Sequence, residues 1–172
     1  MIHTEPNKKY SILLLTIGIP GAGKSTWIQK YIKHRPKGTF VISTDQIRKE
    51  LTGVEQCINP RQNPMIHDEA RKRAKHIIDH ADEFKVRAGG IYPLIIIDST
   101  NVDEEEWKAY KQLGATLMVA KVFPISPDEA FEHIKNRERK IDMSIIKWKY
   151  DTLQKNLPLL PKYFNMQIFS LV

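Results

Sequence analysis

The residues with the plainest chemistry form one run, Gly18-Ile19-Pro20-Gly21-Ala22-Gly23-Lys24-Ser25-Thr26. A glycine, four residues, then Gly-Lys-Ser is the P-loop spacing. Glycines let backbone N–H groups converge on phosphate oxygens with no Cβ in the way. A helix that begins near the lysine adds the positive end of its dipole. In such a loop the lysine reaches the β- and γ-phosphates of a nucleoside triphosphate, and the serine hydroxyl ligates Mg²⁺. Gly18, Gly21, Ala22, Gly23, Lys24, Ser25 and Thr26 are therefore the expected nucleotide-binding set. ATP or another nucleoside triphosphate and Mg²⁺ are the expected cofactors, with Ser25 as the magnesium ligand.

Three further groups carry chemistry. Asp45 has Arg48 three residues on, so both can lie on one side of a helix's first turn. A carboxylate there can accept a proton from an incoming hydroxyl; a plain helix cap is the competing explanation. Asp98-Ser99-Thr100-Asn101 closes an apolar run, as a Walker-B-type acid does. Asp98 would hold Mg²⁺ directly or through water, or orient Ser25, and Asp98, Thr100 and Asn101 are expected at the substrate. Arg137 and Arg139 stand in the basic cluster Lys135-Asn136-Arg137-Glu138-Arg139-Lys140. Arginine on a lid neutralises charge that develops on transferring phosphates. Asp45, Lys24, Arg137 and Arg139 are thus the catalytic candidates. His76 and His80 have the spacing of a helical metal pair but lack a third ligand, so they read as helix-flank histidines. Cys57 has no partner placed by the sequence and takes no role.

These residues need elements to hold them. Ile12–Ile17 is a short apolar run of the buried parallel-strand type. Trp27, Ile28, Tyr31 and Ile32 then recur at helical spacing over about 24–34, up to the stop Arg35-Pro36-Lys37-Gly38. Phe40–Ser43 reads as a second strand, and a short helix follows to Leu51, capped by Thr44 or Asp45. Gly53–Pro64 reads as a loop. One helix is expected over about 65–88, with Ile66, Ala70, Ala74, Ile77, Ala81 and Phe84 as its apolar stripe and Lys72 and Lys75 solvated. Pro93–Asp98 is the third strand, and Asp103-Glu104-Glu105-Glu106 opens the next helix, where the dipole favours acid. Thr116–Phe123 is the fourth strand. Ser126-Pro127 starts another helix, one more spans about 142–156, and Met166–Val172 is a strand or packed chain. Strands alternating with helices predict an α/β fold: a P-loop NTPase, three-layer α/β/α, with a central parallel sheet of four or five strands and a short basic lid. Ligands in such folds sit outside the carboxyl ends of the strands, where the P-loop, Asp45 and Asp98 converge.

A chain of 172 residues, 41% hydrophobic and 27% charged, is of a size and composition for one soluble domain, residues 1–172. No apolar run is long enough to span a bilayer, and the first residues lack the apolar core of a secretory signal. A single cysteine fits a reducing, cytoplasmic compartment. The net charge of +7 favours a polyanionic partner.

Leu15–Trp27, Asp45-Gln46-Ile47-Arg48, Ile96–Asn101, Lys121-Val122-Phe123 and the basic lid together resemble the 5′-kinase domain of the T-even phage polynucleotide kinase-phosphatases. The resemblance implies transfer of the ATP γ-phosphate to a 5′-hydroxyl end of DNA or RNA. Lys24 and Ser25 would hold phosphates and Mg²⁺, and Asp45 would activate the hydroxyl. Arg48 would engage the phosphate on the 3′ side of the acceptor nucleoside, and Arg137 or Arg139 the donor phosphates. It also implies a location in the host cytoplasm if the chain is phage-encoded. The phage pattern has its acid one position later, where this chain has Ser99, and its lid is longer. No aspartate-rich phosphatase motif follows, so a kinase domain alone is expected. A P-loop kinase of a nucleoside, nucleotide or sugar is the nearest alternative, and a nucleotide-dependent switch is another. The oligomeric state is not encoded in any of these motifs.

Overall fold

In the computed structural model, which describes residues 9–55, 60–137 and 140–170, five short runs pair into one all-parallel sheet. They are β1 (Ile12–Ile17), β2 (Thr39–Ser43), β3 (Leu94–Asp98), β4 (Leu117–Val122) and β5 (Met166–Phe169), in the order β2-β3-β1-β4-β5. The expected four or five strands are therefore five, with the tail serving as an edge strand beside β4. The central strands are apolar on both faces, as a sheet covered on both sides requires. Leu13, Leu15, Ile17, Ile95 and Ile97 point one way, and Leu14 and Ile96 the other.

Helix α1 (Lys24–His34) covers the second face with Ile28, Trp27, Tyr31 and Ile32. The first face receives α3 (Asn63–Asp79) and α5 (Glu104–Lys111) through Ile66, Ala70, Ala74, Ile77, Trp107 and Tyr110. Each large side chain buried this way contributes about 1.5–3 kcal/mol, enough to fix the strand order from these contacts. A third, smaller cluster of Ile19, Ala130, Ile134 and Ile146 joins the underside of the P-loop to α6 (Pro127–Ile134) and α7 (Met143–Asn156). Ser126 caps α6 in a reciprocal box with Glu129, as the Ser-Pro start suggested.

Two expectations need correction. The helix expected over 65–88 is two helices, α3 and α4 (Ala81–Arg87), with a break at His80, whose φ of −111° and ψ of 27° leave the helical region. The stripe continues across the break, and Phe84 meets Phe40 of β2 edge-on at 5.0 Å, so tertiary packing supports the bend. The loop expected to reach Pro64 ends sooner: α3 starts at Asn63, and the proline sits in its first turn, where a missing N–H costs nothing. The short α2 (Thr44–Thr52) and α8 (Leu160–Tyr163) complete the helices used below. No helix among the described residues is long and apolar enough to cross a membrane.

Candidate functional site

The carboxyl ends of β1, β2 and β3 deliver the three sequence motifs to one crevice. Register alone does part of this, because Ser43 at the end of β2 pairs with Asp98 at the end of β3. From β1 the chain enters the P-loop, where the Gly18 N–H donates to the Thr100 carbonyl at 3.0 Å and ties the loop to the segment after β3. Gly23 caps α1 in the left-handed region, φ 87°, which a residue with a Cβ enters only at a cost.

Lys24 is almost fully buried, 8% exposed, and its ammonium donates to the Gly18 and Ile19 carbonyls at 2.8 Å each. The loop's own backbone thus holds the lysine in place. Burial lowers its pKa to about 8; Asp98 and Asp45 oppose that shift, and Lys149 and Arg137 reinforce it. Those four side chains are thus near enough for their charges to act on one ammonium. The sign of the resulting pH dependence follows. The lysine is charged below about 8 and neutral above, and a triphosphate binds the charged form. In metal-free buffer at about pH 9 ATP binding should therefore take up close to one proton, and affinity should fall as pH rises through that range. Calorimetry in buffers of differing ionisation enthalpy measures this; zero uptake would show that Lys24 is already charged.

Ser25 donates its hydroxyl to Asp98, at 3.0 Å to Oδ2 and 3.4 Å to Oδ1. Burial raises the Asp98 pKa against that hydrogen bond and the Lys24 charge. The acid therefore meets the P-loop serine even though it stands one position earlier than in the phage pattern. A hydroxyl and a carboxylate are hard oxygen donors of the kind Mg²⁺ takes beside phosphate oxygens and water, so the pair fits that ion. No group of three His, Cys, Asp or Glu side chains suited to a metal occurs among the described residues, His76 and His80 included.

At β2 the N-cap of α2 is Ser43, whose Oγ accepts from the Gln46 N–H at 3.3 Å; neither Thr44 nor Asp45 caps the helix. Asp45 instead pairs with Arg48, Nη1 to Oδ1 at 2.7 Å. Arg48 is 7% exposed, and it also donates to the Glu55 carbonyl and to Asn63 Oδ1, both at 3.3 Å. A carboxylate and a guanidinium are thus held as one unit at the start of α2, and the Asp45 charge acts on Lys24.

Asn101 departs from its expected place at the substrate. It is 1% exposed, takes a φ of 48°, and donates to the Thr16 and Ile97 carbonyls at 2.8 and 3.2 Å. Its amide nitrogen is spent on β1 and β3, so it braces the segment that carries Asp98 and Thr100. Thr100 itself is at the crevice: its Oγ1 accepts from Lys149 Nζ at 3.1 Å. Arg137 is exposed just beyond α6, and Ala22 and Thr26 lie in and just after the loop as expected. Arg139 and Cys57 lie outside the described residues.

Two residues at the site escaped sequence reading. Asn63, at the start of α3, steadies Arg48 from fifteen positions away. Lys149 comes from α7, and its burial lowers its pKa against the pull of Asp103 and Glu106. A signal for Lys149 existed: it falls between Ile146 and Leu153 on the buried stripe of its helix, where a lysine is out of place unless its head has work to do.

Comparison with known proteins bears on the family and the fold. A family model described as "AAA domain" matches residues 13–155. Among solved structures, a chain of the Pnkp1/Rnl/Hen1 RNA repair complex superposes with a TM-score of 0.68 at 18% identity, over 90% of this chain and 48% of that one. A chain from a second structure of the Pnkp1/Rnl/Hen1 complex gives 0.57 at 19%, over 81% of this chain and 46% of that one. This chain thus spans about half the length of either. A gluconokinase from Sinorhizobium meliloti 1021 gives 0.55 at 14%, over 94% and 81%. At such identities the likeness speaks to the fold.

Proposed function

We propose, from the premise that this chain belongs to the AAA domain family, that it transfers the γ-phosphate of ATP or a related nucleoside triphosphate to the 5′-hydroxyl of a nucleic acid end. The fold is that of the P-loop kinases, a scaffold for phosphoryl transfer shared by kinases of polynucleotides and of small molecules. The observation that carries the finer reading is the Asp45–Arg48 unit: a carboxylate that can accept a proton, paired at 2.7 Å with a buried guanidinium, and near enough for its charge to act on Lys24.

In this reading Lys24 leaves the Gly18 and Ile19 carbonyls for the β- and γ-phosphates. Ser25 and Asp98 would hold Mg²⁺, directly or through water, and the ion would neutralise phosphate charge there. Asp45 accepts the proton of the attacking hydroxyl, opposite the P-loop, where in-line displacement needs it. Arg48 binds the phosphate on the 3′ side of the acceptor nucleoside. Arg137, with Arg139, meets charge developing on the donor phosphates. The whole is read as a single kinase domain whose partner is a 5′-hydroxyl nucleic acid end.

The test is incubation with labelled ATP and 5′-hydroxyl oligonucleotides, with nucleosides, nucleoside 3′-monophosphates, gluconate and shikimate in parallel. Oligonucleotides and 3′-monophosphates should be phosphorylated, and bare nucleosides about tenfold or more less efficiently, since they lack one charge-assisted contact of about 1.5–3 kcal/mol. Arg48→Ala should erase most of that preference. Transfer to a sugar acid and to no nucleic acid would replace this reading with a small-molecule kinase.

A further inference from the structure

Helix α7 presents an exposed aromatic surface where buried ones are the rule. Trp148 is 58% exposed, and Ile145, one turn earlier on the same side of the helix, is 44% exposed. Tryptophan buries so much area that leaving one in water is unusual for a chain with room for it inside. Trp107 shows the contrast: it is wholly buried, and its indole N–H donates to the Asn101 carbonyl at 2.6 Å.

Lys149 joins this ring to the reaction crevice. Its ammonium lies 5.2 Å from the centre of the Trp148 ring and donates to Thr100 Oγ1 at 3.1 Å. Thr100 follows Asp98 by two residues, and the Lys149 charge is felt at Lys24. Among the described residues no carboxylate stands within ion-pair distance of Lys149, so a partly buried cation faces the crevice with a hydroxyl as its close partner. Lys147, the residue before Trp148 on the same helix, is exposed and adds a second positive charge to this stretch of α7.

An exposed aromatic face beside a lysine, next to a crevice read as a phosphate site, is how proteins hold single-stranded nucleic acid: bases stack on the ring and phosphates meet the cation. We propose that Trp148 is a stacking platform for a nucleobase of the acceptor strand and that Lys149 holds the neighbouring backbone phosphate. This rests on the nucleic-acid reading of the site and adds to it a second anchor, on α7, beside the Asp45–Arg48 unit on α2. Charge complementarity and continuity with the crevice favour a nucleic acid strand as the occupant over another protein surface.

The experiment compares a 5′-hydroxyl hexanucleotide with the same hexanucleotide made abasic at every position. It is run on the native protein, Trp148→Ala and Trp148→Phe, and kcat/KM is read as a ratio within each protein, so a general loss from misfolding cancels. Stacking of one base should give the native protein a preference for the intact strand of about tenfold or more. Trp148→Ala should bring that ratio close to one, and Trp148→Phe should restore most of it. Lys149→Met should weaken both strands alike, and Lys149→Arg should recover the loss. An unchanged ratio in Trp148→Ala would overturn the platform and leave the kinase reading standing, as would be expected if the ring docks a protein. No phosphorylation of either strand by the native protein would overturn both.

Discussion

Asp45→Asn is expected to slow phosphoryl transfer by about 10²–10⁴-fold, the range that general-base help provides, with ATP binding nearly unchanged. The substitution keeps shape and a hydrogen-bonding group but removes the proton acceptor. The structure sharpens the test by assigning the cap elsewhere: Ser43 satisfies the Gln46 N–H, so losing the Asp45 charge leaves the start of α2 intact. The variant also loses the charge on its bond to Arg48, but the asparagine Oδ1 can still accept from that buried guanidinium, which keeps its bonds to the Glu55 carbonyl and Asn63, so the cost to stability should be small beside the loss of rate. A large loss of rate with little loss of stability is therefore the expected signature. Single-turnover phosphorylation beside calorimetric ATP binding measures both, and native rates in a variant that binds ATP normally would remove Asp45 from the mechanism.

Lys24→Ala should have an effect of similar or greater size, of a different kind. Preorganised positive charge at a site of developing negative charge is commonly worth about 10²–10³ in rate. Here the lysine serves both ground state and transition state, so ATP affinity and turnover should fall together, to the edge of detection. The fold should survive. The variant takes the ammonium from the Gly18 and Ile19 carbonyls, of which Ile19 keeps the Ala22 N–H, at a cost of about 1–3 kcal/mol, but it also relieves a charge that burial disfavours. Circular dichroism checks the fold, and normal turnover would contradict the phosphate-site assignment.

The residues that could be read in advance are those whose roles are local. The P-loop, the strand before it and the helix after it lie within about two dozen residues, and Asp45–Arg48 is a contact between residues three apart. Asp98 was legible because a strand end in a parallel sheet has one destination. Contacts that close over long separations were not legible. Lys149 meets Thr100 across forty-nine positions and Asn63 meets Arg48 across fifteen, and neither leaves a pattern in the intervening sequence. Asn101 misled for another reason. Its type and position suit a binding residue, but its left-handed backbone turns the amide back into the sheet. The cap of α2 was off by one residue because Ser43, Thr44 and Asp45 are all good caps, and the choice rests on which has extended backbone.

The contact beneath the P-loop has a mechanical consequence. A Cβ at Gly21 would stand 2.2 Å from the Ala130 carbonyl oxygen, in the middle of α6, and His133 of the same helix holds the Gly21 carbonyl through Nδ1 at 2.9 Å. With Ile19 packed on Ala130 and Ile134, the loop and the helix behave as one rigid block. Arg137 leaves that block three residues after α6 ends. In the proposed mechanism the backbone that carries Arg137 is therefore tied, through α6, to the P-loop that would bind the phosphates. Moving that arginine would then mean moving the loop floor with it, so any adjustment falls to the Arg137 side chain and the residues between it and Ile134.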